Sequence, residues 1–253
     1  MSTLEVFPEE NVNKVEETIR VRVNGKDLNL TLVMQADELA PLFSGAAWAG
    51  TLLWDAAVHL TRRFLHDYHH ILQDPHNLLC VLELGAGIGV PGMAARIAGA
   101  HHVVLTEQNE LLRLMRVNLA ANAAVLNLSH NHETKGGIVA RPLSWGVSET
   151  KEYLTRYATE KIDVVLSCDC IYEPLYGKSW QALAQTMEML CLANHATVVL
   201  MAVERRNKDG VENFLTFVDT QTQLQYRLEE QTVVKKMIQL EVYYLRLKDK
   251  LRV

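Results

Sequence analysis

The sequence predicts an α/β protein built on a mostly parallel sheet, with a small β-hairpin ahead of it. Three observations carry that expectation. Short, continuous apolar segments alternate with helical patterns from Leu78 to Val218, the pattern of a parallel sheet covered on both faces. One of those segments runs directly into a glycine-rich turn and a helix, in "VLELGAGIGVPGMAARIAGAHHVVLTE", Val81 to Glu107. Near the start, two alternating segments flank Asn24-Gly25, a hairpin turn dipeptide.

In "TIRVRVNGKDLNLTLVM", Ile19, Val21 and Val23 alternate with polar neighbours before the turn, and Leu28, Leu30 and Leu32 do so after it. Between Ala46 and Leu65, the residues Leu52, Leu53, Ala56, Ala57 and Leu60 recur at helical spacing, with His59, Arg62 and Arg63 on the other side. The segment "LLCVLELG" then reads as a strand, followed by a helix opened by Pro91, a strand "HHVVLTE" and a helix from Asn109 to Ala124. Two more strands follow, "GIVARPLSW" and "KIDVVLSCD". Next come a helix from Ser179 to Leu192, the strand "ATVVLMAVE", a helix around "GVENFLTFV", and two terminal strands, "YRLEEQTVV" and "MIQLEVYYLRL". Those last two have no helix between them, so one of them is expected to run antiparallel. Residues 127–137, "NLSHNHETKGG", read as a polar surface loop. The expected organisation is an N-terminal extension over residues 1–45 and one larger domain over 46–253.

Bulk properties narrow the function classes. A chain of 253 residues, 49% hydrophobic and 22% charged, can bury a substantial core without staples. The longest clean apolar run, Ala196 to Val203, is too short to span a bilayer, so no membrane partner is expected. The start, "MSTLEVFPEENVNK", is acidic and has no apolar signal core, which sets the expected location as the cytosol, with the nucleus as the alternative. Four cysteines in apolar segments are expected to be reduced and buried. A net charge of −5 argues against nucleic acid as a partner. His66 and His70 have a metal-compatible spacing but no companion acid or cysteine cluster, and Cys168-x-Cys170 is too tight for a zinc knuckle, so no metal site is expected.

The glycine turn contains two overlapping patterns, Gly85-x-Gly87-x-Gly89 and Gly87-x-Gly89-x-x-Gly92, which suit different nucleotide cofactors. Glycines there leave backbone N–H groups bare for close approach of a ligand. Glu107 ends the next strand, where a carboxylate can take both ribose hydroxyls of a nucleoside, and both cofactor readings want it. Glu83 lies just ahead of the turn, where the pyrophosphate of a dinucleotide would approach and a carboxylate is unwelcome. A cationic cofactor tolerates it, although the carboxylate could instead be satisfied by backbone N–H groups of the turn. Asp169 follows another buried strand, at the carboxyl edge where open α/β folds bind ligands.

With those residues in view, "ELGAGIGVPG" resembles motif I of the Rossmann-like, seven-strand S-adenosylmethionine-dependent methyltransferases. "GTLLWDAAVHL" with Trp54, "RPLSWG" with Trp145, and "DVVLSCDCIYEP" with Asp169-x-x-Tyr172 are together similar to the non-SET protein-lysine methyltransferases that carry a DxxY motif. The resemblance runs from about Gly50 to Arg206, with the motifs in order. It implies S-adenosylmethionine as cofactor, with Trp54, Glu83, Gly85, Gly87, Glu107, Trp145 and the backbone at Cys168 lining its site. It also implies Asp169 and Tyr172 on the acceptor side, and a protein substrate carrying the target lysine, with a monomer as the expected state. Glu107 departs from the aspartate of many relatives, and residues 127–137 are longer and more polar than the pattern expects.

Methyl transfer from a sulfonium needs a neutral amine and accurate alignment of nitrogen, methyl and sulfur. Asp169 is expected to hold the incoming amine, and Tyr172 to supply a ring wall and a hydroxyl. Other readings stay open at this point: a methyltransferase of RNA or a small molecule, because the fold hosts many acceptors; an NAD(P)-dependent oxidoreductase using Gly87, Gly89 and Gly92; or a binding module that keeps the cofactor fold.

Overall fold

The computed structural model describes residues 3–8, 17–33, 47–128, 136–157, 161–234 and 237–249. Its centre is a seven-stranded sheet of β4 (Cys80–Leu84), β5 (His102–Glu107), β6 (Gly137–Pro142), β7 (Val164–Cys168), β8 (Val198–Arg205), β9 (Leu224–Val234) and β10 (Ile238–Leu247). The strands lie side by side in the order β6-β5-β4-β7-β8-β10-β9. β4 pairs in parallel with β5, Leu82 beside Val104, and with β7, Leu82 beside Val165. β10 runs antiparallel to both β8 and β9. The expected antiparallel strand is therefore the last one.

Every residue of β4 is buried because helices cover both faces. On one face lie α1 (Asp55–Asp67), α2 (His69–Gln73), α3 (Val90–Ala98), α4 (Leu112–Ala121) and the short α5 (Ala123–Leu126). On the other lie α6 (Val147–Arg156), α8 (Trp180–Ala193) and α9 (Val211–Gln221), while the single turn α7 (Glu173–Tyr176) follows β7. Leu60, Phe64 and Met93 anchor the first layer, and Leu183, Met187 and Phe214 the second, all at 0% exposure. Each such side chain contributes about 1.5 to 3 kcal/mol by leaving water.

The expected hairpin is present as β2 (Glu17–Val23) and β3 (Lys26–Val33), and β1 (Leu4–Pro8) adds a third antiparallel strand on the far side of β2. Five residues with no turn signal beside them gave β1 no mark in the sequence. Val21, Val23, Leu28 and Leu30 are fully buried and belong to the same core layer as α1, α3 and α4.

The free edge of β3 is closed by side chains. Asn122 Oδ1 accepts the Asn29 N–H and its Nδ2 donates to the Asn29 carbonyl, both at 2.8 Å. Asn118, one helical turn earlier, does the same for Thr31, at 2.8 and 3.1 Å. Two carboxamides thus replace a neighbouring strand and give partners to four backbone groups of its edge.

That arrangement bears on the helix expected over 109–124. It begins at Leu112, pauses at Asn122, and resumes for a single turn. Similarly, the helical pattern beginning at Ala46 resolves into a 3-10 turn, Ala47–Thr51, and a helix that starts only at Asp55. Leu52 falls between the two and is 37% exposed. α6 lacked a continuous apolar stripe, and Tyr153 is the large apolar side chain it buries. Most of the polar loop expected over 127–137 lies outside the described residues.

Candidate functional site

The chain leaves β4 toward β5 and β6 on one side, then crosses to β7 and β8 on the other. The carboxyl ends of β4 and β7 therefore bound the crevice in which open α/β folds place ligands. A cavity of about 480 Å³ occupies it. Trp54, Glu83, Gly85, Gly87, Glu107, Trp145, Cys168 and Asp169 all line that one cavity, although they are scattered over more than a hundred positions of sequence.

The glycine turn separates the two overlapping patterns. Gly85 and Gly87 have φ of +61° and +54°, a region that L side chains rarely adopt. A Cβ on Gly85 would sit 2.6 Å from Cys170 Sγ and 3.1 Å from the Trp145 ring, and one on Gly87 would sit 2.7 Å from the Gly50 carbonyl oxygen. Gly89 and Gly92 point away from the cavity, and a Cβ on either would meet the Leu105 side chain of β5. Gly85 and Gly87 line the cavity, whereas Gly89, which both patterns share, and Gly92 serve helix-to-strand packing.

Glu107 ends β5 with 8% exposure, and its Oε2 accepts the Gln108 N–H at 2.8 Å. Burial pushes its pKa up to about 7, Glu110 adds to the rise, and N–H donors from Gln108 and Gly87 oppose it. Glu83, 1% exposed, points its Oε2 at the Gly92 N–H, 2.8 Å away in the first turn of α3. Burial raises its pKa to about 8, against the pull of that hydrogen bond. Glu83 is thus bound to the backbone of the helix start.

The two tryptophans act as walls. The indole N–H of Trp54 donates to the Ala49 carbonyl at 2.9 Å, which ties the 3-10 turn against α1. Trp145 lies against Gly85 and packs partly on the second core layer. Cys168 ends β7, and burial raises its thiol pKa well above the ordinary value. Cys80, Cys170 and Cys191 are buried and Cys168 is half-buried.

Asp169 adopts φ +53° immediately after β7, a conformation that turns the chain out of the sheet. Its carboxylate is 3% exposed and already engaged: Oδ1 accepts the Glu204 N–H at 3.0 Å and Arg206 Nη1 at 3.0 Å, while Oδ2 accepts Arg206 Nη2 at 2.6 Å. The carboxylate expected to hold an incoming amine thus has both oxygens paired with a guanidinium. Tyr172 does not line the cavity; its ring lies 5.3 Å from the same guanidinium, and the Trp54 ring lies 5.4 Å from it. Arg206, Tyr176 and Gly50 belong to the site and went unremarked in the sequence. Tyr176 lines the cavity one helical turn after Tyr172, with its hydroxyl pKa raised by burial. Among the described residues, no group of three or more histidine, cysteine, aspartate or glutamate side chains could hold a metal ion.

The donor set suits a nucleoside whose ribose meets a buried carboxylate and whose charged end approaches a side-chain-free glycine turn beside two acids. A family model described as lysine methyltransferase matches residues 39–221. Secreted RxLR effector protein 48 of Plasmopara viticola is 66% identical over 174 residues, which are 68% of this chain and 87% of that protein. Protein N-lysine methyltransferase METTL21A of Mus musculus is 29% identical over 170 residues, 67% of each chain. Among solved structures, SMU.776, a methyltransferase crystallised with SAH, superposes with a TM-score of 0.54 at 11% identity, covering 94% of this chain and 58% of that one. A transferase of Pyrococcus horikoshii, PH0793, superposes with a TM-score of 0.52 at 12% identity, covering 94% and 74%. Both likenesses establish the fold.

Proposed function

The chain belongs to the lysine methyltransferase family; as an S-adenosylmethionine-dependent enzyme that methylates protein lysine, it works, we propose, with Gly85, Gly87 and Glu107 holding the donor and Asp169 and Tyr172 shaping the acceptor side. The observation that carries this division is the cavity itself. Its glycine-turn wall offers bare backbone and a buried carboxylate, while Asp169 lines the same cavity from the end of β7. When bound, the donor supplies a sulfonium methyl group open to in-line attack.

The chain's own residues supply position and exclusion of water. Glu107 would accept the two ribose hydroxyls, with Trp145, Gly85 and Trp54, which is tied to the 3-10 turn, lining the same cavity. S-adenosylmethionine held there would supply its methyl group to the lone pair of a neutral lysine amine, with the C–S bonding pair returning to sulfur. The methylated ammonium product then releases its proton to solvent. No base is required in the bond-making step, so alignment dominates catalysis.

The test begins with calorimetry of S-adenosylmethionine, S-adenosylhomocysteine and NAD; tighter binding of NAD would overturn the assignment. Transfer of radiolabelled methyl from S-adenosylmethionine into a heated cell extract, with protein and RNA then separated, examines the acceptor. Label in protein lysine supports the reading, and label confined to RNA overturns it. We further propose a monomeric enzyme of the cytosol; cysteines held as thiols support the location. Because one relative is described as a secreted effector, recovery of the tagged chain from the culture medium would overturn that location. No described helix is long and apolar enough to cross a membrane.

A further inference from the structure

Arg206 enters the site from the turn after β8, and it is held at both ends. Its backbone N–H donates to Asp209 Oδ2 at 2.9 Å, and Asp209 is itself fixed by Arg205 Nε and the Val211 N–H, each at 2.9 Å. At the other end the guanidinium grips Asp169 with two prongs, 3.0 and 2.6 Å, and its Nη2 also reaches Glu204 Oε2 at 2.9 Å. A planar, two-pronged pair fixes orientation as well as charge. The Trp54 and Tyr172 rings lie near the same guanidinium at cation–π distances. Arg206 is therefore preset against Asp169, which lines the cavity.

The charged and titratable groups around it are Asp169 from the end of β7, Glu204 from β8, Tyr172 and Tyr176 from the α7 turn, and Asp55 of α1, which acts through Glu204. A lysine side chain has an ordinary pKa of about 10.4, and only its neutral form can accept a methyl group. An unpaired carboxylate on the acceptor wall would stabilise the ammonium and move that pKa up by about one to three units. Arg206 sets its one positive charge against Asp169 and the neighbouring Glu204, which offsets part of that pull.

We propose that Arg206 is a charge-setting, positioning residue of the acceptor channel, which holds both oxygens of Asp169 beside the Trp54 and Tyr172 rings and so prevents the channel from trapping the acceptor as an ammonium ion. This rests on the acceptor-side reading of Asp169 and Tyr172 above. The pair tunes the wall for an uncharged nitrogen. It also assigns Asp169 a purpose that its burial would otherwise obscure.

The whole chain, saturated with S-adenosylhomocysteine, is titrated calorimetrically at pH 7 with n-butylamine, a lysine side-chain mimic that is an ammonium at that pH. Arg206→Met and Arg206→Gln bare the charge of Asp169 and should bind the probe at least about tenfold more tightly than the native chain, on the scale of one pKa unit. The double variant Arg206→Met, Asp169→Asn should return to native weakness. In the methyl-transfer assay, the alkaline midpoint of the pH–rate profile should move up by about one unit or more in Arg206→Gln and stay in place in Arg206→Lys. Should Arg206→Met fail to fold, Arg206→Gln carries the comparison, since its amide can still donate to Asp169. Probe binding no tighter than native and an unmoved midpoint, in variants that still bind S-adenosylhomocysteine, overturn the proposal. A native chain that does not bind S-adenosylhomocysteine overturns the cofactor reading beneath it, and the proposal falls with it.

Discussion

Protonation of Glu107 should control how tightly the nucleoside binds. Burial lifts this carboxyl from an ordinary 4.5 to about 7, so near neutrality the empty site is poised between acid and carboxylate. The carboxylate accepts from both ribose hydroxyls in charge-assisted bonds that the acid form cannot match. The proton therefore competes with the ligand, and affinity falls as pH drops through 7. With a pKa of about 7, the acid form exceeds the carboxylate roughly tenfold at pH 6 and is a minor species at pH 8. The dissociation constant should thus improve about tenfold between those values, or about 1.4 kcal/mol, and level off above. 5′-Methylthioadenosine is the suitable probe, because it keeps the nucleoside but lacks the amino-acid end that could titrate in this range. Calorimetry in two buffers of different ionisation enthalpy should show proton release on binding at pH 6.5. Glu107→Gln should bind about 1.5 to 3 kcal/mol more weakly than the carboxylate and lose the pH dependence. Glu83→Gln should keep that dependence, since Glu83 is bound to the Gly92 N–H. A dissociation constant that is flat from pH 6 to 8, or a slope that persists in Glu107→Gln, would refute the reasoning.

Four further outcomes follow from the same geometry. Asp169→Ala should lower turnover a hundredfold or more while cofactor affinity falls by less than about tenfold, and near-normal turnover would remove it from the acceptor side; Tyr172→Phe then separates ring from hydroxyl. Gly87→Ala places a Cβ 2.7 Å from the Gly50 carbonyl at a φ of +54°, so S-adenosylhomocysteine binding should be lost, and retained calorimetric affinity would count against the close approach. Asn118→Ala and Asn122→Ala each strand two backbone groups of β3 and should each cost about 2 to 4 kcal/mol in urea denaturation, against the alternative of an unchanged midpoint. Because Glu83 and Glu107 both have raised pKa values in the folded chain, the native state binds more protons than the unfolded one. Thermal stability of the ligand-free enzyme should therefore fall as pH rises from about 5 to 8, and a rising melting temperature across that range would contradict it.

Much of this molecule was readable in one dimension. Each buried parallel strand is a short apolar run, and its chemistry-bearing residue stands at the carboxyl end: Glu107 after "HHVVLT", Asp169 after "DVVLSC". Strand order brings those ends together, so eight expected residues share one cavity. Arg206 was invisible because its meaning lies in partners from two other elements, Asp169 and Trp54, and an arginine beside Arg205 looks like a solvated strand end. Gly50 was missed because its carbonyl matters only where it crosses Gly87. Tyr176 sits on a turn of four residues, too short to show a periodic face. The orientation of Glu83 toward Gly92 depends on how α3 docks on β4, which spacing alone does not encode.

The paired asparagines on α4 also constrain the order in which the chain can assemble. They lie 93 and 87 positions after the backbone groups they serve. During synthesis at roughly 5 to 20 residues per second, β3 emerges about 5 to 20 s before its amides exist. Through that interval the nascent meander presents an unpaired strand edge, and two or three strands without a covering layer are marginal on their own. Closing the long loop then adds an entropic cost that grows only slowly with length. The N-terminal sheet should accordingly be among the last parts to gain protection from hydrogen exchange, and a chaperone that shields strand edges would have its greatest effect before residue 122 leaves the ribosome.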